Sequence, residues 1–568
     1  MAGSPKVYKI HPAIGVARLG DAAADAFFIG PERAGVPHRP EARGGAAAGH
    51  YKYGGRVRPQ AARFRLFEYD LENDRLVRPR ELTVDDPRVE RIEWRVELAN
   101  RKASFHAFDG LAGDVASPER GGTLNGPHRA KPVRNPLVGD RTSLDITPPA
   151  RTICGRTAGK VEFRWQRDEP GWPLDPDGKP IIEYLGELRT DERGHLIVLG
   201  GRGVSRGPLS TLKTYANNDG WHDDVADGPV TVSVTVKPGT PAITVGDDGH
   251  AWVVVGPPDF APGVGNVITL YDTLTDVAVR FMDMKRYRGA LAHLRRLADE
   301  LHHPRTTLFT YRPDYNAEIR PILRRAYNVR WTFGPARRVH DGLVDPVLGQ
   351  PAVAGAANPR KAVFDRLRPP LGVAAGPAQT MPKLLDDTNK RGLAVTVTQY
   401  ALLRQWSEGD FISPSKALPA KLALPDELDR AALENAVGGA FFPGIEVGWQ
   451  IRHAHLFIEP FRIDHHATST YDGESERRIR AGHFSRQMAL PWQADFYACQ
   501  FDEGSGWWPG QRPDDVLASA DATTTVKWDR PGPWGTVAGF DDMRRNWSRL
   551  GFVLADGDVF VETERNNQ

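Results

Sequence analysis

The stretch LPWQADFYACQFDEGSGWWPGQRPDD, residues 490–515, is the densest run of reactive side chains in the sequence. Asp495 and Cys499 stand four residues apart, so on a helix the carboxylate and the sulfur share one face. Gly504-Ser505-Gly506 follows, and its backbone freedom lets the chain turn back and carry the indole of Trp507 or Trp508 against that sulfur. The same residues have a plainer reading. Aromatic pairs beside a proline pack cores, and an aspartate near a turn caps backbone amides. Spacing alone does not choose between the two, and it does not imply a bond between cysteine and tryptophan.

Other chemistries have a weaker basis. His453 and His455 in IRHAH, with His465-His466 and with Asp464, Glu446 and Glu459, offer the side chains of a two-histidine, one-carboxylate iron site. They match neither HExxH nor the facial-triad spacing, and no metal is expected. GRGVSRG, residues 201–207, is glycine-rich but is neither GxGxxG between a strand and a helix nor GxxxxGK[ST], so a simple turn is expected there and no nucleotide cofactor. Two cysteines, Cys154 and Cys499, are too few for a disulfide framework or a cysteine-rich zinc or iron–sulfur site, and Cys154 reads as an inert buried thiol.

The bulk composition sets further bounds. A chain of 568 residues exceeds the ~250–300 at which single cores stop growing, so two domains are expected. Seventy-four basic against 72 acidic side chains leave a net charge of +2, which gives no support for nucleic acid or an anionic membrane as partner. The first residues, MAGSPKVYKIHPAIG, lack the apolar stretch of a secretory signal, and no run of ~18 apolar residues suggests a membrane span. The expected location is the cytoplasm, with export by a route that leaves no such signal still open.

The elements that must position residues 490–515 are short. Fifty-seven glycines and 46 prolines punctuate nearly every apolar run, which argues for short elements and long ordered loops. Val230, Val232, Val234 and Val236 alternate with polar residues, and Trp252–Val255 is an apolar run stopped by Pro257-Pro258; both read as strands, with a third short strand at Val267, Ile268 and Leu270. Helices are expected over 286–300, with Leu291, Leu294, Leu297 and Ala298 on one face, over 426–437, and over 399–406. Residues 36–60 read as a mobile excursion. The fold class is α+β: a β-rich region over 1–345, a loop or connection over 346–382, and a region of helices and irregular loops over 383–568 that carries the reactive segment.

Longer motifs then give a resemblance. HPAIGVARLGDA (11–22), FFIGPE (27–32), YANNDGWHDDVADGPV (215–230), WVVVGPPDFAP (252–262), ENAVGGAFFPGIEVGW (434–449) and the LPWQADFYACQ…WWPGQRPDD segment occur in this order along nearly the whole chain. With them the sequence resembles the bacterial cysteine tryptophylquinone family of lysine ε-oxidases and glycine oxidases. The resemblance implies a protein-derived two-electron quinone, made by oxygenating a tryptophan and coupling it to a cysteine sulfur. Cys499 matches the thioether donor and Asp495 the family aspartate tied to cofactor assembly and catalysis. Trp508 is the first choice for the quinone ring, Trp507 the second and Trp528 a distant third.

By the same resemblance the activity is oxidative deamination of a primary amine or amino acid with dioxygen, releasing an aldehyde or ketoacid, ammonia and hydrogen peroxide. Asp495 is then the base, and an apolar shell of Trp492, Phe496 and Tyr497 would lift its pKa above the ordinary ~3.9. A substrate carboxylate would need a cation, for which Arg512 and Arg338 are candidates. Two departures stand out. The family's further cysteine before GGxFxPGIE is replaced by Glu434-Asn435-Ala436, and His222 in GWHDD stands where the family carries a tyrosine or phenylalanine. If position 222 lines the substrate pocket, a residue that titrates near pH ~6.5 alters the expected substrate; the alternative is a histidine bonding Asp223 or Asp224 at a turn. A separate flavoprotein is implied as maturation partner, and a chain of this size can self-associate. The competing functional class is a family member without a mature quinone, serving as a binding or structural protein.

Overall fold

The computed structural model describes residues 5–73, 75–107, 133–285, 287, 290–302, 310–350, 358–370, 376, 378–384, 394–413, 422–438, 444–469, 478–498, 508–530 and 539–566. Twelve strands form one mixed sheet: β1 (Lys6–His11), β2 (Ile14–Arg18), β3 (Phe28–Ile29), β4 (Gln60–Glu72), β5 (Arg75–Leu82), β6 (Val89–Val96), β7 (Arg151–Cys154), β8 (Val161–Arg164), β9 (Tyr184–Thr190), β10 (Leu196–Gly200), β11 (Ala226–Val236) and β12 (Ala251–Gly256). The order is β8-β9-β10-β4-β2-β12-β11-β6-β7, with β1, β3 and β5 also pairing with β4. The two ends of this order meet, because Arg151 of β7 donates from Nε to the carbonyl of Glu162 in β8 at 3.0 Å. The sheet is therefore a nearly closed barrel.

The alternating valines lie in β11, where Val230 and Val232 are buried and Ser233 is exposed. The unbroken apolar run forms β12, buried along its whole length and paired parallel to β2. A strand covered on both faces needs no polar alternation.

From Leu270 on helices predominate, with three two-stranded sheets among the described residues. The helices are α1 (Leu270–Phe281), α2 (Arg295–His302), α3 (Arg320–Asn328), α4 (Ala336–Val339), α5 (Pro359–Phe364), α6 (Val397–Ser407), α7 (Leu424–Glu434), α8 (Trp492–Ala498) and α9 (Phe540–Asn546). The third strand expected at 267–270 is not formed. Thr269 caps the helix that begins at Leu270, its hydroxyl accepting from Asp272 N–H while the Asp272 carboxylate accepts from Thr269 N–H. This reciprocal cap outweighs a three-residue apolar run. The helix expected over 286–300 begins instead as a 3-10 turn, Ala290–Leu294, and continues as α2; Leu291, Leu294, Leu297 and Ala298 are all buried. Another reciprocal cap, Thr396 with Gln399, starts α6, and Pro425 lies in the first turn of α7.

The segment 36–60 is wrapped on a buried cation rather than left loose. Arg58 donates to the carbonyls of Ala26, Phe27, Glu41 and His50. One core cluster runs from Tyr8 to Val553, so strands and helices share it. Among the described residues no helix is long and apolar enough to cross a membrane.

Candidate active site

Asp495 is the fourth residue of the seven-residue helix α8 and is only 5% exposed. A helix this short is marginal by itself, so its position depends on what holds it. Trp492 meets Phe496 edge-on at 4.9 Å and Trp547 at 5.4 Å between ring centroids, and Tyr497 meets Phe540 at 4.9 Å. These rings place apolar bulk on both sides of the aspartate along the helix.

The motif YANNDGWHDDVADGP is the platform on which the chain leading into α8 rests. Leu490 N–H donates to the Ala216 carbonyl, and Asn218 Nδ2 donates to the Leu490 carbonyl, each at 2.9 Å. Asp227 of β11 accepts from Phe484 N–H, Ser485 N–H, the Ser485 hydroxyl and Trp252 Nε1. Asp223 accepts from Trp492 N–H at 3.1 Å, which puts a carboxylate at the positive end of α8. Asp223 also accepts from Asn100 Nδ2 and pairs with Lys102, and both ions are 0% exposed. Burial pushes the Lys102 ammonium below its ordinary pKa, with Asp223 opposing that shift.

The far end of α8 is tied by Arg512. Its Nε donates to the Phe496 carbonyl at 2.7 Å, its terminal nitrogens reach Pro513 O, Asp514 and Asp529, and its plane lies 5.1 Å from the Trp528 ring. The Arg512 N–H in turn donates to the Trp508 carbonyl at 2.8 Å. One arginine thus joins the helix of Asp495 to the turn of Trp508, an indole that is 3% exposed. That turn is pressed closely against the rest of the protein. A Cβ added at Gly510 would stand 2.4 Å from the Gly265 carbonyl oxygen, and Phe260 of the GPPDFAP motif donates to the Gln511 carbonyl.

The other sequence candidates fall as follows. Cys499 and Trp507 lie outside the described residues. Arg512 is 1% exposed, and its guanidinium is taken up by groups of the protein itself, so it is placed as an internal tie rather than open to a substrate carboxylate. Arg338 is exposed on α4. Trp528 is buried and donates to the Gly551 carbonyl. His222 is 3% exposed and donates from Nε2 to the Leu144 carbonyl at 3.2 Å, bonding neither Asp223 nor Asp224. Its Nδ1 has no protein partner, and burial lowers its pKa, so the ring is neutral at neutral pH. Cys154 is half-buried at the end of β7.

Three of the side chains weighed as metal ligands have protein partners. Glu446 pairs with Arg18, Glu459 with Lys9 and Arg462, and His466 with Asp247. Among the described residues no group of three or more His, Cys, Asp or Glu side chains could hold a metal. The 201–207 turn is filled from within: Asp224 accepts from Arg202 and Val204 N–H, and desolvation raises its pKa to about 7. Gly203 there has φ of +72° and faces Trp547, where a Cβ would clash at 2.2 Å.

Sequence reasoning missed Lys102, Asn100 and Asp223, which act through space on a helix more than 250 residues away, and Gln511. Gln511 is 0% exposed, and neither atom of its side-chain amide has a hydrogen-bond partner. A buried carboxylate and a buried indole thus stand on two segments tied by one arginine, with an unserved amide three residues after that indole, a set of side chains that fits a group built on the tryptophan ring.

Fold and site together define an α+β protein in which the buried helix of Asp495 is tied to the buried turn of Trp508. Comparison with known proteins gives the family. Models described as L-lysine epsilon oxidase N-terminal and L-lysine epsilon oxidase C-terminal domain match residues 11–255 and 377–520. The L-lysine 6-oxidase of Marinomonas mediterranea is 30% identical, over 98% of this chain and 89% of that protein. A solved structure of the Schiff base intermediate of the L-Lys epsilon-oxidase from the same organism with L-Lys superposes with a TM-score of 0.76 at 26% identity, covering 99% of this chain and 95% of that one. A structure of the epsilon-lysine oxidase from that organism gives a TM-score of 0.76 at 27% identity, with the same coverage. The chain belongs to the L-lysine epsilon-oxidase family. It is a quinoprotein oxidase that carries out oxidative deamination with dioxygen and produces hydrogen peroxide, using a protein-derived quinone.

Proposed function

We propose that the quinone of this enzyme is cysteine tryptophylquinone, formed from Cys499 and Trp508, and that it oxidises the primary amine of an amino acid with Asp495 as base. The observation that carries this reading is the Arg512 bridge, which fixes the helix of Asp495 against the turn of Trp508. Cys499 follows the last described residue of that helix, four positions after Asp495. Trp507 is the alternative ring. When formed, such a cofactor supplies an electrophilic carbonyl for a neutral primary amine and a sink for two electrons.

The chain's own residues do the rest. Asp495 takes the proton from the substrate carbon at a carboxylate oxygen, in surroundings where Trp492, Phe496 and Tyr497 limit access of water. Asp223 and Arg512 keep that carboxylate oriented by holding both ends of its helix. His222, neutral and with Nδ1 unpaired, offers the pocket an acceptor for a substrate N–H or O–H. Arg338 is the remaining candidate for an amino acid's carboxylate. Oxygenation of Trp508 requires a flavoprotein maturation partner in this reading. The Marinomonas mediterranea relative is an L-lysine 6-oxidase, which makes L-lysine the first substrate to try.

A panel of amino acids and simple amines, assayed for oxygen uptake, peroxide and ammonia, tests this. The wild type is expected to turn over at least one amino acid with oxygen as sole acceptor, and His222→Phe to change the order of preference while thermal stability holds. Turnover that stops without an added electron carrier would contradict the oxidase reading, and an unchanged order in His222→Phe would remove His222 from the pocket.

A further inference from the structure

Gln511 is fully buried, yet its side-chain Nε2 and Oε1 have no partner. Buried polar atoms are nearly always paired in native structures, so an amide with both ends unserved points to a partner that the plain polypeptide does not contain. Its place says which partner. Gln511 N–H and Arg512 N–H both donate to the Trp508 carbonyl at 2.8 Å, so 508–512 is a single helical turn. In such a turn, side chains three residues apart share a face. The Gln511 and Trp508 side chains therefore leave the same face of this turn. Rotation of the whole turn toward solvent is blocked, since the Gln511 carbonyl is held by Phe260 N–H at 2.9 Å and Gly510 is packed on the Gly265 carbonyl.

We infer that Gln511 is a cofactor-contacting residue whose Nε2 donates to an oxygen installed on the Trp508 ring during maturation. This rests on the reading that Trp508 carries the quinone. A quinone oxygen only accepts hydrogen bonds, and the carboxamide brings the donor it needs without adding a charge to a dry site. Oε1 stays free to accept an N–H of the arriving amine. Gln511 is in this sense a residue of the modified protein: its Nε2 is unserved before the oxygens exist and paired afterwards.

The test uses the full-length mature enzyme with Gln511→Leu, and Gln511→Met as a second apolar replacement. Intact mass of the wild type is measured first, since the quinone and crosslink add about 28 Da, two oxygens less four hydrogens. In the mature variants the quinone absorption band moves and the carbonyl stretch, read by resonance Raman, rises as the donor is lost. The unfolding midpoint falls in the mature protein but not when the same substitution is placed on a Cys499→Ser chain, which cannot form the crosslink. An unchanged band and stretch in a variant carrying the added mass would overturn the inference alone, as would an equal loss of stability in both backgrounds. A wild type without the added mass would instead overturn the reading on which the inference rests.

Discussion

Replacing Asp495 with asparagine keeps the side chain's size and one oxygen acceptor but removes the carboxylate that takes a proton. Little or no quinone is expected in Asp495→Asn, and any matured fraction turns over ~10²–10⁴-fold more slowly, the usual worth of a placed general base. Quinone absorbance and steady-state amine oxidation, both normalised to crosslinked protein, separate assembly from turnover. Full quinone content with an unchanged rate would take Asp495 out of both roles, leaving His222 as the next base to examine. Asp495 stands out in the sequence because Cys499 is four residues on, within reach of helical periodicity, and the structure places the aspartate buried on α8. Asp223 and Lys102 do not stand out, because what they do depends on α8 being brought to them across the barrel. The orphaned amide of Gln511 was equally hidden, since a glutamine in a loop gives no sign of whether its side chain ends in water or in a dry core.

At the scale of elements, α8 is a short helix positioned by its two anchors, and Arg512 is the one that also reaches Trp508. Lysine keeps the charge but is a single point donor, unable to span Phe496 O, Pro513 O, Asp514 and Asp529 together. Arg512→Lys is therefore expected to cost about 1–3 kcal/mol, the range for leaving buried acceptors without their donors. It should also lower the quinone content per chain, as measured by denaturant unfolding and by absorbance. Intact stability and quinone content with a raised KM for amino acids alone would instead make Arg512 a clamp for the substrate carboxylate. The elements themselves were partly readable. The valine alternation of β11, the apolar run of β12 and the faces of α2, α6 and α7 follow from local period. The stretch at 267–270 misleads because Val267, Ile268 and Leu270 look like a strand, while the decisive signal is the Thr269–Asp272 pair, a cap written in two polar residues. The wrapping of 36–60 was invisible for another reason: it depends on Arg58 meeting carbonyls from four separate positions.

For the molecule as a whole, one core joins the barrel to the helical half, so charges buried anywhere in it weigh on global stability. Desolvation raises Asp224, Asp259 and Asp514 to about 7. Each stays protonated in the folded chain while its unfolded counterpart ionises near pH ~4, so stability falls as pH rises from about 4 to about 7 and levels off above. Glu81, Asp191 and Glu459, despite opposing desolvation, are lowered to about 2 by hydrogen bonds and nearby positive groups: His195 with arginines for Glu81, His195 with backbone amides for Asp191, and Lys9 with Arg462 for Glu459. Their contribution is present above pH ~4 and is lost as pH drops toward ~2. Together these six carboxyls favour greatest stability in mild acid. Asp224→Asn, which keeps the acceptor for Arg202 and Val204 N–H, should narrow the gap between thermal midpoints at about pH 5 and about pH 8; an unchanged gap would show that Asp224 does not titrate there.

The claim on which the rest depends is the covalent one, and peptide mapping of mature protein by mass spectrometry tests it most directly. The account predicts a single crosslinked species joining the Cys499 peptide to the Trp508 peptide, heavier than the sum of the two by about 28 Da. Recovery of a free Cys499 peptide together with unmodified tryptophan peptides from catalytically active protein would contradict it.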